Sequence, residues 1–371
     1  MKPLLGLSIF PQLSFLNTCL SLFEQEKVEV LEWSFDHCHY ENRPEWFNLL
    51  LKDYSEAGRL LAHGVHYSAF TAQMNELHDE WLALWEQEQQ QLKYVHVSEH
   101  IGYKSQLKQN TGFPLPLDYH LVDVHDFGHQ VMALQSASKI PLGFEILALS
   151  LSYQQVIEQA KFVTGLCQKF NTFIVLDLHN LYCQAFNFNL EIDALIALYP
   201  IEYIREIHIS GGSFSYGDLA DKQVRRDTHD GAIPKALFKV LQDWLPRFKH
   251  CQYIIFEQLP ESLKTTQTQQ QFISDYDQLM RIRDQFSVEA LELPNKLLHV
   301  ENHSLPTQVE LSNNRETLFE EQYLLANALM QVKTPQDLQV MTFKYFNHQD
   351  WSLAMIETAI KLSQSWNSVN E

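Results

Sequence analysis

The sequence predicts a (β/α)8 barrel followed by a mainly helical extension, and three observations carry that reading. Eight short runs rich in β-branched and aromatic residues recur as far as Glu257. Amphipathic stretches with helical spacing separate most of them, which is the alternation of a parallel sheet whose strands are buried on both faces. Most of the runs also end in His, Asp or Glu, as barrel strands do when their C-terminal ends build a site.

The first run is 4–10, LLGLSIF, stopped by Pro11. The second is 28–35, VEVLEWSF, with Glu32 inside it and Asp36, His37, Cys38 and His39 after it. Stretch 44–54 then sets Trp46, Phe47, Leu50, Leu51 and Tyr54 at helical spacing. Run 60–66, LLAHGVH, ends in His63 and His66, and stretch 73–93 puts Leu77, Trp81, Leu84 and Trp85 on one helix face. Run 94–100, YVHVSEH, ends in Glu99 and His100; the loop after it holds His125 and His129 and is placed to cover the mouth. Run 141–149 carries Glu145, and 153–170 is helical by pattern.

The sixth run, 173–178, passes from Phe-Ile-Val-Leu into Asp177, His179 and Asn180. A buried strand that ends in a carboxylate and an imidazole bears a desolvation cost unless those groups have partners. Run 204–210, IREIHIS, carries His208 and is followed by two glycines. A polar loop over 213–233 holds Asp227, Thr228, His229 and Asp230, and Pro234 then opens a helix with Leu237, Val240, Leu241, Trp244 and Leu245 on its face. The last run is 253–257, YIIFE.

Beyond this the pattern changes. Residues 1–262 are assigned to the barrel and 263–371 to the extension, with helices at 270–286, 315–330, 335–346 and 350–366 and a less regular segment at 289–311. Thr334 and Asp350 are the expected N-caps.

The composition excludes several roles. With 27 Lys and Arg against 46 Asp and Glu, the net charge is −19, which opposes binding to a phosphate backbone. No Gly-rich phosphate loop is present. No apolar run approaches the about 20 residues of a membrane-spanning helix, and the start of the chain is interrupted too early by Pro11 for a signal peptide. A cytoplasmic protein without nucleic-acid or membrane partners is expected. The five cysteines are dispersed, with no CxxC pair, and read as reduced thiols.

A barrel gathers its strand ends at one mouth, so His63, His100, Glu145, Asp177, His179, His208, Asp227, His229 and Glu257 converge there. No lysine or arginine ends a strand nearby to balance four of these carboxylates, Glu145, Asp177, Asp227 and Glu257. Imidazoles mixed with carboxylates and no counter-cation point to metal, and the donor count exceeds what one ion uses. A mixed N/O set without cysteine suits iron, manganese or zinc. Glu32 is either a further acid at the mouth or a supporting group. An oxidative iron enzyme, a metal-dependent isomerase or hydrolase, and a metal-dependent binding protein all fit this donor set.

HGVHYS from His63, VSEHIGY ending at Tyr103, the FEILALS glutamate, LDLHNLY from Leu176, EIHISGG from Glu206, DTH at Asp227 and IIFEQLP from Ile254 follow one another in an order that resembles the multinuclear non-haem iron-dependent oxidative enzymes (MNIO), over roughly residues 28–262. The resemblance implies a barrel like that of xylose isomerase, holding two or three iron ions. It implies O2 as co-substrate and a ribosomally made precursor peptide as substrate, modified often at cysteine. In many members a small partner recruits the peptide leader. Carried over by motif, His63, His100, Glu145, Asp177, His208, Asp227, His229 and Glu257 correspond to the metal ligands, and loss of Asp177 or His208 is expected to abolish the reaction. The chain departs from the family pattern where His179 stands for a frequent Asn, where Ile146 follows the glutamate, and where Gly212 and Gln258 replace a frequent His and Trp. His179 is placed to stand in for the ligand missing at 212, an exchange that alters how many irons bind.

Overall fold

In the computed structural model of the chain, residues 2–37, 43–104, 113–286 and 315–368 are described. Eight parallel strands close into a barrel: β1 (Leu4–Ser8), β2 (Val30–Trp33), β3 (Leu60–His63), β4 (Val97–His100), β5 (Leu142–Glu145), β6 (Phe173–Asp177), β7 (Ile204–Ile209) and β10 (Tyr253–Phe256), with β10 between β7 and β1. The strands are shorter than the apolar runs that announce them: most end before their run does, whereas β4 keeps the end of its run and starts only at Val97.

Alternation decides what each strand presents. One face, with Leu31, Ala62, Ile207, Ile254 and Phe256, packs in the main core against the helices. The other face turns inward, where Val30, Leu61, Tyr253 and Ile255 form a separate small apolar cluster. Glu32, His63 and His208 continue this inward parity toward the mouth, so a polar layer stands on an apolar floor.

The helices between strands are α1 (Leu13–Glu24), α2 (Glu45–Glu56), α3 (Glu76–Gln91), α4 (Gly128–Ser138), α5 (Tyr153–Phe170), α6 (Leu178–Phe188), α7 (Ile192–Ile196) and α8 (Lys235–Trp244). α9 (Thr266–Asp284) follows the last strand and packs against α8, α1 and β1. Trp81, Trp85 and Trp244 are buried on helix faces, as their spacing predicts.

Several segments differ from expectation. The region read as a covering loop after β4 contains α4, whose polar composition hides its buried face: Val131, Leu134 and the amide of Gln130. The polar loop after β7 contains an antiparallel hairpin, β8 (Phe214–Gly217) and β9 (Lys222–Arg225). In the extension, α10 (Arg315–Gln331) and α12 (Leu353–Ser368) form, but α11 spans only Pro335–Gln339. Thr334 caps α11 with Asp337, whereas Asp350 caps no helix and instead accepts from Asn347 in a short 3-10 turn. Segment 289–311, Cys38 and His39 lie outside the described residues.

The extension is fastened to loops on the mouth side of the barrel by buried side chains that bond backbone and by backbone pairing. The Gln322 amide accepts from Ala72 N at 2.8 Å and donates to Phe70 O at 2.8 Å, in the β3 loop. Asp118, beyond β4, accepts from Asn347 N. Ser352 N donates to Leu151 O, beyond β5, at 2.7 Å. Glu357 accepts from Leu219 N and Ala220 N of the hairpin turn at 2.9 and 3.0 Å. Each group orphaned inside a protein costs about 1–3 kcal/mol. Gln322→Ala orphans two, so it is expected to destabilise the chain by roughly 2–6 kcal/mol. A denaturant titration checks this, and an unchanged midpoint would count against it.

Candidate metal centre

The barrel register places the polar strand ends side by side. His100 pairs with Glu145 across β4 and β5, Asp177 with His208 across β6 and β7, and His63 with Ser98 across β3 and β4. Glu145 is the hub: its Oε2 lies 3.1 Å from His63 Nε2 and 3.3 Å from His100 Nε2, and its Oε1 lies 3.7 Å from His208 Nδ1. His208 Nδ1 is also 3.4 Å from Glu257 Oε2. Glu257 continues to His229 at 3.8 Å, and His229 Nε2 reaches Asp227 Oδ1 at 2.9 Å.

Neighbouring groups fix these side chains. Ser98 Oγ lies 3.3 Å from Ala62 O, to which it donates, and so accepts from His63 Nδ1 at 2.9 Å. That leaves His63 Nε2 facing Glu145, carrying the second proton in the metal-free state and a lone pair once that proton is lost. Asp177 is the last residue of β6 and the N-cap of α6, accepting from Asn180 N at 2.5 Å. Asn180 in turn donates to Glu145 Oε1 at 3.0 Å.

His179 stands apart from the other sequence candidates. Its Nδ1 lies 3.0 Å from Asp227 Oδ1, and its Nε2 accepts from Arg225 Nε at 3.3 Å. Both ring nitrogens are therefore engaged by protein groups. Gly212 shows why the ring sits there: a Cβ at 212 would meet Arg226 O at 2.3 Å and His179 Cε1 at 2.8 Å. The imidazole thus fills space that a side chain at 212 would need. Gly212→Ala is expected to displace His179 and Asp227 and to cost about 1–3 kcal/mol; a melting midpoint equal to that of the parent chain would sink this.

The other candidates fall outside the ring. Glu99 accepts from Tyr67 N and His100 N at 2.8 and 2.9 Å and so braces loops. His66 turns to Lys104 Nζ at 3.0 Å. The Cys183 thiol, 3.9 Å from His179, is pushed up by burial, as expected of an inert buried cysteine. Asn180, Ser98 and Lys104 act on this site although sequence reasoning did not select them. Asn180 carried the one available signal, its place directly after the Asp177–His179 pair. Lys104 and Arg225 also amend the expectation of a mouth without cations: neither ends a mouth-lining strand, yet the fold brings both to its edge.

Charge is unbalanced throughout the ring. Burial opposes a charge on His63, but Glu32 and Glu145 hold its pKa up at about 9. Burial likewise opposes charge on His208 and His229, and the facing carboxylates raise both well above the ordinary imidazole value. Burial, then Asp227, Glu145 and Glu257, push Asp177 well above the carboxylate range. Among the described residues, His100 Nδ1, Asp177 Oδ2, His208 Nδ1, His229 Nε2 and Glu257 Oε2 are buried without a hydrogen-bond partner. Buried polar atoms are normally paired, so converging orphans with lone pairs fit bound cations. Among the described residues three sets of ligand atoms, His63–His100–Glu145, Glu145–Asp177–His208 and Glu32–Glu206–His208, each gather within 4.8 Å; the first two share Glu145 and the last two share His208.

The sequence model of a family described as RiPP precursor modification enzyme MbnB/TglH/ChrH matches residues 17–271. The chain belongs to that family. RiPPs are ribosomally made peptides that are modified after synthesis, so membership assigns a precursor-peptide-modifying role and agrees with the MNIO resemblance. The chain is 26% identical over 219 residues to a UPF0276 protein of Vibrio vulnificus, covering 58% of this chain and 74% of that one. It is 28% identical over 192 residues to a UPF0276 protein of Acaryochloris marina, covering 50% and 65%. Among solved structures it is similar to an IolI protein with a bound zinc atom (15% identity, 78% of this chain and 100% of that one, TM-score 0.46). It is also similar to a xylose isomerase domain protein from Planctomyces limnophilus (13% identity, 72% and 92%, TM-score 0.46). No described helix is long and apolar enough to cross a membrane.

Proposed function

We propose that this RiPP-modifying family member is a multinuclear iron oxidoreductase that uses O2 to modify residues, cysteine foremost, of its precursor peptide. The observation that carries the reading is the shared Glu145 between two ligand sets. One carboxylate shared by a pair of imidazoles and by an Asp–His pair would help to hold more than one ion, and the mixed N/O set suits iron. His63, His100, Glu145, Asp177, His208, Asp227, His229 and Glu257 would hold two or three ions. His179 would serve by holding Asp227.

When bound, the irons supply one-electron chemistry toward O2. The chain's own residues supply geometry. Ser98 keeps the proton on His63 Nδ1, and Asn180 holds the Glu145 and Asp177 carboxylates at a fixed separation. Arg225 donates to His179 Nε2, so the His179 proton stays on Nδ1, toward Asp227. Lys104 offers an ammonium at the rim, where burial lowers its pKa to about 8 against the pull of Glu99 and Asp36. That group suits an anionic part of the peptide. A small leader-binding partner and a cytoplasmic location complete the proposal. The division after residue 262 is proposed as functional: every ligand precedes it, and the helices beyond it serve as support.

The test is metal analysis with Mössbauer spectroscopy, then incubation with iron, O2 and the precursor peptide. Coupled irons and a peptide mass change are expected. Stoichiometric zinc or manganese from iron-supplemented cells, with turnover in the absence of oxygen, would favour a metal-dependent isomerase or hydrolase instead.

Protons and metal compete for this site. The raised pKa values of His63, at about 9, and of His208 and His229 mean that the metal-free ring holds protons at neutral pH. Metal must displace them, so affinity is expected to rise from pH 6 toward pH 9. Calorimetry in two buffers of different ionisation enthalpy should record release of at least one proton per chain; zero release would refute this.

A further inference from the structure

We propose that Glu32 positions His208, holding Nε2 from inside the barrel so that Nδ1 is presented to the metal site. The inference rests on the reading of His208 as a ligand and adds a residue that approaches it from the opposite side. Glu32 ends the pairing of β2 with β1 and lies opposite Leu61 of β3, fully buried, and its Oε2 lies 3.1 Å from His208 Nε2. Glu145 and Glu257 face the other nitrogen, Nδ1, at 3.7 and 3.4 Å. Glu32 is therefore behind the imidazole, walled off from the mouth by it.

An imidazole offers a lone pair to a metal from one nitrogen only when the other carries the proton, and a carboxylate on that N–H fixes both tautomer and ring angle. Only the Nε2 side has an acceptor at hydrogen-bond distance; the Nδ1 contacts are too long. The proton thus belongs on Nε2 and the lone pair on Nδ1.

A second carboxylate, Glu206, lies 3.6 Å from the same Nε2, but it is engaged from below by His96 Nε2 at 2.7 Å. His96 is fully buried, and Arg205 stacks its guanidinium over Phe173 and Tyr253 at 5.3 and 5.9 Å beside it. Glu206 lies beyond hydrogen-bond distance of His208 and turns its Oε2 to His96, so Glu32, at 3.1 Å, is the acceptor for His208. The apolar cluster of Val30, Leu61, Tyr253 and Ile255 backs this layer, so water does not readily replace a lost carboxylate.

The test compares Glu32→Gln and Glu206→Gln with the parent full-length chain, using Fe(II) and, separately, Zn(II) as probes. Glu32→Gln should keep the parent's ion count but bind each probe about 10–100-fold more weakly, and one iron site should change its Mössbauer quadrupole splitting. Glu206→Gln should change both less. A parent chain that binds iron, with a Glu32→Gln variant of identical affinity and spectrum, overturns the inference alone; a parent that binds no iron overturns the iron reading, and the zinc arm still decides Glu32. Loss of one whole ion with the remaining spectrum unchanged would mark Glu32 as a ligand of an ion held with Glu206 and His208, and would equally overturn a positioning role. Should the variant not fold, ring-nitrogen NMR of the zinc-loaded parent decides: a proton on His208 Nε2 is expected, and a proton on Nδ1 overturns the inference.

Discussion

Asp177→Asn is expected to abolish peptide modification while leaving the metal-free protein as stable as the parent chain or more so. The two effects have one cause. Asp177 is fully buried, its Oδ1 is used in capping α6, and its Oδ2 has no hydrogen-bond partner among the described residues. Burial, with Asp227, Glu145 and Glu257 around it, raises its pKa well above the ordinary carboxylate value of about 3.9. The sign comes from proton linkage. The folded metal-free state binds this proton more tightly than the unfolded state does, so stability falls as pH rises from the unfolded pKa through the raised folded one. An ionised Asp177 therefore burdens the empty fold, and only a cation makes its charge favourable. Asparagine keeps a capping oxygen for Asn180 N and removes the charge. Supporting groups alone shift metal affinity or activity by about 10–100-fold, so loss of a ligand should exceed that range. Asp177→Ala would lose the same chemistry and also the cap, worth about 1 kcal/mol. The check is metal content, peptide mass change and metal-free melting temperature on the same preparation. An Asn variant that melts well below the parent would mean that Asp177 is structural; one that still modifies peptide would remove it from the ligands.

The strand ends were legible because a barrel converts sequence into place by a simple rule: a polar residue that closes an apolar run arrives at the mouth. That rule brings His63, His100, Glu145, Asp177, His208 and Glu257 to the mouth without knowledge of register, whereas Asp227 and His229 stand out as an Asp–His pair in the polar loop over 213–233. It could not separate the two faces of one imidazole. His179 and His208 look alike in sequence, each placed at or just past a strand end, yet Arg225 closes off His179 Nε2 whereas carboxylates lie by both nitrogens of His208. That difference comes from a hairpin, β8–β9, whose strands carry too few apolar residues to be read. Glu32 was ambiguous for the same reason, since period-two alternation gives the inward direction but not the height above the floor. The shortness of α11 was hidden too: Phe343 and Phe346 keep helical spacing by chance, while Val340 between them and the helix is 85% exposed.

Ending the chain at residue 314 is expected to silence the enzyme, although every proposed ligand would remain. The segment beyond 314 buries Leu318, Leu325, Leu329, Phe346, Trp351, Met355, Ile356 and Ile360 in the same continuous core as the barrel. Burial of each such side chain is worth about 1.5–3 kcal/mol, against a net domain stability of only about 5–15 kcal/mol. The truncated barrel would therefore expose a large apolar surface, and aggregation is its expected failure. The site suffers by a separate route. Backbone of the β3 loop and the β8–β9 turn gives up bonds to Gln322 and Glu357, and Leu151 O loses Ser352 N. These segments follow β3, β5 and β7, the strands that carry His63, Glu145 and His208. A soluble truncated chain should keep a folded circular dichroism spectrum and lose turnover more than 100-fold, beyond the roughly 10–100-fold that supporting groups cost. The Gln322→Ala/Glu357→Ala double variant separates the two routes, since it frees the loops while leaving the apolar contacts in place. Parent-level turnover in both the truncated and the double variant would show that the extension supports neither the mouth loops nor the site.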